Sequence, residues 1–371
     1  MRKLITCAFV LVFPMVLIAG GNSARYLKKK KILKMMEKVA DWQLEHPKWK
    51  LYEWHNAPLY NGVFETYKTT GKKKYYEACK QMMESNEYKP GPRWFHADDI
   101  AIGQTYVEMY NLDKEEKYLK SLRDTIDKMF TVEPRFNKNR KDWKKCFWWW
   151  CDALYMAPPT LIKLGVATGE DKYLRLSDEL YKETIDYLWN DDECLFARDM
   201  RYVWGAGYVE EDHKENNGRR IFWSRGNGWV LGGLVMILKD LPDDWTTKKK
   251  YEELYKKMAE KVAGLQPEDG LWRAGLLDAD SYPHGETSGS SFITYALAYG
   301  VNSGILDRKK YMPVIKKSWA ALNKCVNKDG MLGFAQPVGA APQRNFSQSD
   351  WEVYASGAFL LAASEVIRLN D

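Results

Sequence analysis

The chain has 371 residues, of which 45% are hydrophobic and 14% aromatic, with 16 Trp and 23 Tyr, enough for a large core with aromatic faces left over for a cleft. Its net charge of +6 is modest and its lysines fall in runs such as Lys28 to Lys31 and Lys248 to Lys250, so the basic excess reads as solvated helix faces and not as a nucleic-acid surface. Six cysteines without a CxxC pair and five histidines without an HExxH spacing speak against a disulfide framework and a metal centre, and no cofactor is expected.

The N-terminal stretch MRKLITCAFVLVFPMVLIAGGNSA has a basic start at Arg2 and Lys3, an apolar run to about Ala19, and small residues after it. That is the pattern of a secretory leader, assigned to residues 1–22 and leaving 23–371 as one domain. Pro14 interrupts the run, which is short for a membrane span, and Cys7 lies inside it instead of after the small residues, where a lipid anchor would need it. A secreted or periplasmic protein is expected, with no stable membrane association once the leader is gone. Losing Arg2 and Lys3 takes the basic count from 56 to 54 against 50 acids, a mature net charge of +4.

Ile32, Met35, Met36, Val39 and Leu44 follow helical spacing, and Pro47 stops that helix. A theme then recurs, in which an apolar, small-residue helix turns into a polar helix containing Lys-Tyr. Its copies are Tyr60 to Met83, Ile102 to Met129, Ala157 to Leu188, Gly228 through Tyr251, and Phe292 to Leu322, with a last apolar helix over Ala355 to Leu369. Five hairpins plus one unpaired helix at each end make six pairs if the two ends meet. The predicted fold is all-α: a closed six-hairpin (α/α)6 barrel, small and aromatic residues marking its inner helices. An open solenoid of tetratricopeptide type fits less well, because the period varies over roughly 40 to 75 residues and the connectors are long. Short β pieces are expected over Cys194 to Trp204 and Gly270 to Leu277.

Unusual residues collect in the connectors ahead of the inner helices: FHADD, WWWCDALYMAPP, FWSRGNGWV, PHGETSGSS and QSDWEVYASG. A closed barrel would gather all five at one rim, where loops on a rigid scaffold carry binding and catalysis. Asp152 follows three consecutive tryptophans, Trp148 to Trp150. A carboxylate in such surroundings must find donors or take up a proton, and the second course would make it a general acid; its alternative is to cap the helix from Ala153. Asp98 and Asp99 follow Trp94 and His96, and one of them is expected to be an N-cap. Arg225 and Asn227 lie between Trp223 and Trp229, flanked by Gly226 and Gly228, a charged fork among aromatic faces that suits a carboxylated sugar. No strand precedes this GNG as a phosphate loop requires. His284, Glu286, Thr287 and Ser288 form a polar lead into the fifth hairpin, and no GxSxG elbow supports a serine nucleophile there.

Together WCDALYMAPP, FWSRGNGW, HADD with GQ after it, PHGETSGS and FAQPVGAAP resemble the unsaturated rhamnogalacturonyl hydrolases, glycoside hydrolase family 105, relatives of the family 88 unsaturated glucuronyl hydrolases. The likeness runs from about Trp54 to the C-terminus. It implies the six-hairpin barrel, Asp152 as general acid/base, Asp98 as a second acid, and Trp150, Arg225 and Trp229 as substrate contacts. His96, Asp99, Trp223, Asn227, His284, Thr287 and Ser288 complete the expected binding set. The implied substrate is an oligosaccharide ending in a 4,5-unsaturated galacturonyl unit from pectin, with glucuronyl ends as the alternative. The implied chemistry is hydration of the vinyl ether, outside the carboxylate-separation rule for inverting and retaining glycosidases. Sugar epimerases share such a barrel but work with histidine pairs, and only His96 and His284 lie in the rim motifs. A non-enzymatic helical scaffold leaves Asp152 behind three tryptophans without a purpose.

Overall fold

The computed structural model describes residues 24–132 and 147–370. The expected leader and Cys146 lie outside the described residues. Twelve helices of more than one turn follow in order among them: α1 (Lys29–Glu45), α2 (Asn56–Thr70), α3 (Lys73–Ser85), α4 (Gly103–Asp113), α5 (Lys117–Asp127), α6 (Pro158–Thr168), α7 (Asp171–Leu188), α8 (Ser224–Asp240), α9 (Lys248–Gly264), α10 (Thr287–Asn302), α11 (Arg308–Lys324) and α12 (Val353–Arg368).

Two kinds of helix alternate, and burial separates them. The odd-numbered helices bury one stripe: α1 hides Ile32, Met36, Val39, Ala40 and Gln43 and turns its lysines outward. The even-numbered ones are buried on nearly every face, without a break from Thr287 to Val301 in α10 and from Val353 to Ile367 in α12. A helix apolar all round belongs inside. Accordingly α2 packs on α4, α4 on α6, α6 on α8, α8 on α10, α10 on α12, and α12 back on α2. The odd helices lie outside this cycle, with α1 against α12 as the sixth pair.

Glycine makes the last contact of the cycle possible. A Cβ on Gly62 of α2 would sit 2.6 Å from the Gly357 carbonyl of α12, and one on Gly357 would sit 2.2 Å from the Pro58 carbonyl. The two backbones therefore touch, which any side chain would prevent. Turns between paired helices are short; Gly71 at φ 70° ends α2 and Gly169 at φ 72° ends α6, both left-handed positions that cost glycine little.

The expected β segments shrink in the structure. β1 (Trp189–Asn190) and β2 (Leu195–Phe196) form a two-residue antiparallel hairpin, and single bridges join Trp150 to Asp199 and Trp223 to Gly275. The 270–277 segment is not a strand, because its partners are scattered: Ser224 N–H donates to Ala274, Leu276 N–H to Phe222, and Glu286 N–H to Trp272.

At the end of the inner ring where the even helices finish lies a cavity of about 300 Å³, with Glu65, Glu108, Lys163, Lys239, Asp240 and Arg368 among its walls. Lys163 bridges Glu108 and, at 2.7 Å, Asp240. Burial works against its charge, but Asp240 and Glu108 outweigh that and hold the ammonium above the usual lysine range. Lys239 and Arg368 are matched by the buried Glu365, so the cavity reads as a charged floor. The unusual connectors all lead to the opposite end.

Candidate active site

Asp98 and Asp152 reach that opposite rim on two one-turn helices. Ala97–Ile100 carries Asp98 and Asp99, and Ala153–Met156 begins directly after Asp152. Buried polar side chains lock the two turns together. Gln104 Nε2 donates to the carbonyls of Tyr155 (2.8 Å) and Met156 (3.1 Å), and Asn61 Nδ2 in turn donates to Gln104 Oε1 (2.6 Å). The Thr160 hydroxyl lies 3.2 Å from the Ile100 carbonyl and 3.1 Å from that of Met156, so it spans both turns. Pro158 and Pro159 start α6 and keep the Asp152 turn from running on into it.

Asp152 does not cap its helix: the side chain makes no capping hydrogen bond. Its carboxylate is 12% exposed and has two neighbours, the Arg198 Nε at 3.5 Å and the Cys151 thiol at 3.5 Å, both from Oδ2. Burial and the Asp152 charge push the Cys151 thiol well above its ordinary range, so it stays a neutral S–H that donates. Asp98 is 18% exposed. Burial first, and then the charge of Asp152, push its carboxyl from 3.8 up to about 7, with Arg93 and Arg198 pulling the other way and Asp99 adding to the rise. Burial and the charge of Asp152 thus keep Asp98 partly protonated near neutral pH.

Around the pair the expected residues divide. His96 caps the Asp98 turn, its Nδ1 accepting from Asp98 N–H at 3.3 Å, and its ring lies 4.8 Å from that of Trp150. Burial and Arg93 lower it to about 4, so the ring is neutral at physiological pH. Trp150 is 4% exposed and contacts Trp149 at 4.8 Å between ring centres. Asp99 is held by Arg93: it accepts from Arg93 N (2.7 Å), Nε (3.1 Å) and Nη2 (2.5 Å).

Several other expected contacts are already engaged within the protein. Arg225 is buried, and its fork already donates to the carbonyls of Gln336 (2.5 Å) and Pro337 (2.9 Å), with Trp223 and Tyr354 on its faces. It pins the 336–337 loop, a role that its motif could not distinguish from sugar reading. Trp223 is buried and donates to Gln336 Oε1. Asn227 spends its amide on both backbone groups of Phe196 and on the Trp223 carbonyl. Trp229 is fully buried among Tyr155, Phe292, Trp54 and Tyr354. Thr287 bonds the Gly333 carbonyl, and Ser288 bonds Glu286, the acid that caps α10. His284 sits between Phe334 and Phe346, half-buried.

Two residues at the rim escaped the sequence. Trp54, half-buried ahead of α2, stacks on Tyr354 with ring centres 5.5 Å apart, so the first and last inner helices meet through a flat aromatic pair. Arg198 arrives beside Asp152 because Cys151 N–H donates to its carbonyl (2.9 Å) and the next residue bridges Trp150. Its segment carried only a strand signal, and pairing across 47 positions leaves no local trace. No group of three or more His, Cys, Asp or Glu among the described residues could hold a metal, and no helix among them is long and apolar enough to cross a membrane.

A partly buried carboxylate pair suits acid/base work on a sugar, and the chain is similar to known sugar-cleaving proteins along nearly its whole length. The model of Glycosyl Hydrolase Family 88 matches residues 28–370. An unsaturated 3S-rhamnoglycuronyl hydrolase of Formosa agariphila is 42% identical over 343 residues, 91% of this chain and 90% of that protein. Among solved structures, a protein described as a polysaccharide lyase superposes with TM-score 0.83 at 32% identity, covering 92% of this chain and 98% of the other. A family 88 glycosyl hydrolase from Bacteroides vulgatus does so with TM-score 0.83 at 27% identity, covering 92% and 99%. The chain belongs to glycosyl hydrolase family 88 and is a glycoside hydrolase.

Proposed function

We propose that this hydrolase removes a 4,5-unsaturated uronyl unit from the non-reducing end of lyase-generated oligosaccharides in which the next sugar is rhamnose. The observation that carries the reading is that Asp98 and Asp152 sit on two packed rim turns, with the Arg198 guanidinium 3.5 Å from Asp152. The Formosa relative's name supports a rhamnose-linked uronyl end. It favours a rhamnoglycuronyl product over the pectin fragment expected from the motifs. The cycle of inner helices is read as the closed (α/α)6 barrel, and the protein as secreted or periplasmic after loss of residues 1–22.

In this reading Asp152 is the general acid/base. It protonates C4 of the double bond, and the C5 oxocarbenium that results takes up water, whose proton returns to the carboxylate. The C5 hemiketal opens, the C5–O5 bond breaks, and the hemiacetal left at C1 expels the neighbouring sugar with its own oxygen. Asp98 holds a proton before substrate arrives and passes it to Asp152, and the proton that the water gives up restores it. A second reading has Asp98 deliver the proton and Asp152 activate the water, and the rise of Asp98 to about 7 favours it. Asp98→Asn and Asp152→Asn separate the two. With Asp152 as the donor, Asp98→Asn keeps measurable turnover; equal silence of both variants supports Asp98 instead.

The testing experiment follows the loss of double-bond absorbance on a panel of unsaturated disaccharides: galacturonyl or glucuronyl at the end, rhamnose with or without a 3-sulfate next to it. Rhamnose-linked uronyl substrates should be turned over fastest. Activity on none of the panel would overturn the reading.

A further inference from the structure

We infer that Arg198 is the ligand for the carboxylate of the substrate's terminal uronyl unit, an inference that rests on the reading of Asp98 and Asp152 as the reacting pair. A uronate entering this pocket meets two acids and must find a cation, or its own charge keeps it out. Among the rim arginines, Arg93 gives Nε and Nη2 to Asp99, and Arg225 has both Nη atoms on backbone carbonyls and a buried Nε without a partner among the described residues. Arg198 differs in standing beside a reacting acid. One end, Nη1, is anchored at 2.8 Å on Asp199, which is fully buried and is fixed in turn by Arg201 through Nε (2.9 Å) and Nη2 (2.7 Å). The Nε is buried and has no hydrogen-bond partner among the described residues. It lies 3.5 Å from Asp152 Oδ2, an ion-pair distance without hydrogen-bond geometry.

A buried N–H of a charged group left unmade is expensive. Here the orphan lies 3.5 Å from Asp152 Oδ2. An acceptor placed there would lie beside Asp152, as the C5 carboxylate does when C4 is presented to that acid. The guanidinium carbon also lies 5.6 Å from the centre of the Trp149 ring, so the fork is held between an aromatic face and Asp199. A planar, pre-aimed fork is the residue type that recognises carboxylates. Arg198 therefore selects for a charged uronyl end and seats it with C4 toward the acid.

Two substrates separate this role from a structural one: an unsaturated uronyl disaccharide and its methyl ester, which keeps the double bond and loses the charge. Wild type should prefer the acid by about 100-fold in kcat/KM, the scale of a charge-assisted contact. In Arg198→Gln the preference should fall to within about threefold, mainly through a higher KM for the acid, with the ester little changed. Arg198→Lys, which retains the charge, should restore part of it, and thermal melts of both variants show that they are folded. Equal losses on acid and ester, or an unchanged preference, would overturn the assignment. Calorimetry with the saturated disaccharide acid reads binding without turnover, and its Kd should rise at least about tenfold in Arg198→Gln. An unchanged Kd overturns the inference even if wild type proves inactive on every unsaturated substrate, a result that would instead remove the functional reading.

Discussion

Asp98 and Asp152 set different pH signatures, and each can be measured alone. Asp152→Asn keeps the shape and removes the titrating group; turnover should fall by several orders of magnitude, since donor and later base are both lost. For Asp98 the sign follows from a folded value raised above the unfolded one. The neutral acid is favoured by folding, so the penalty for its charge is absent below about pH 4 and complete above about 7. Asp98→Asn should therefore be more stable than wild type at pH 8, on the order of 2 kcal/mol, and the gap in melting temperature should close as pH falls to 4. The same titration predicts that wild-type kcat/KM declines as pH rises through about 7. A gap in melting temperature that does not change with pH would remove Asp98 as the proton holder. Arg225→Lys tests the opposite kind of residue. A lysine cannot span the Gln336 and Pro337 carbonyls or lie flat between Trp223 and Tyr354, so stability should drop by about 2–4 kcal/mol in chemical denaturation. An unchanged midpoint would return Arg225 to the list of substrate contacts. The acids were legible in the sequence because carboxylates next to Trp and His are costly anywhere. The split between Arg225 and Arg198 was not, because an arginine's partners are decided by loops far away in the chain.

Among the elements, the two one-turn helices and the α2–α12 contact do the positioning. The hairpins were readable from composition: a helix such as α10, with Gly, Ser, Ala and Tyr and hardly a charge, has nowhere to go but inside. The end of α1 was readable from Pro47, while the stops of α2 and α6 at the left-handed Gly71 and Gly169 came from the structure. The short turns that carry Asp98 and Asp152 were not, since four residues have no periodicity and their lock is made by Gln104, Thr160 and Asn61 from three other helices. Likewise nothing in the sequence marks Gly62 and Gly357 as a pair. Gly62→Ala forces a methyl to within 2.6 Å of the Gly357 carbonyl and should destabilise the fold by about 1–3 kcal/mol, read from the denaturation midpoint. A variant as stable as wild type would mean that α2 and α12 have room to part.

At the scale of the whole molecule, the fold sorts charge by end. The inner helices finish around a floor in which Lys163 answers Glu108 and Asp240, and begin around a rim in which the unpartnered Nε of Arg198 lies beside Asp152. Helix counting predicted the number of pairs and the meeting of α1 with α12, because both depend only on how many apolar helices need covering. The charged floor was illegible, since its lysines and acids look in sequence like any others on a helix surface.

The most direct test compares matched disaccharides, one ending in a 4,5-unsaturated uronyl unit and one in its saturated counterpart, both linked to rhamnose. Protonation at C4 needs the double bond, so the unsaturated compound should be consumed and the saturated one left intact. Hydrolysis of the saturated disaccharide at a comparable rate would mean that Asp98 and Asp152 work across an ordinary glycosidic bond, and would contradict the account.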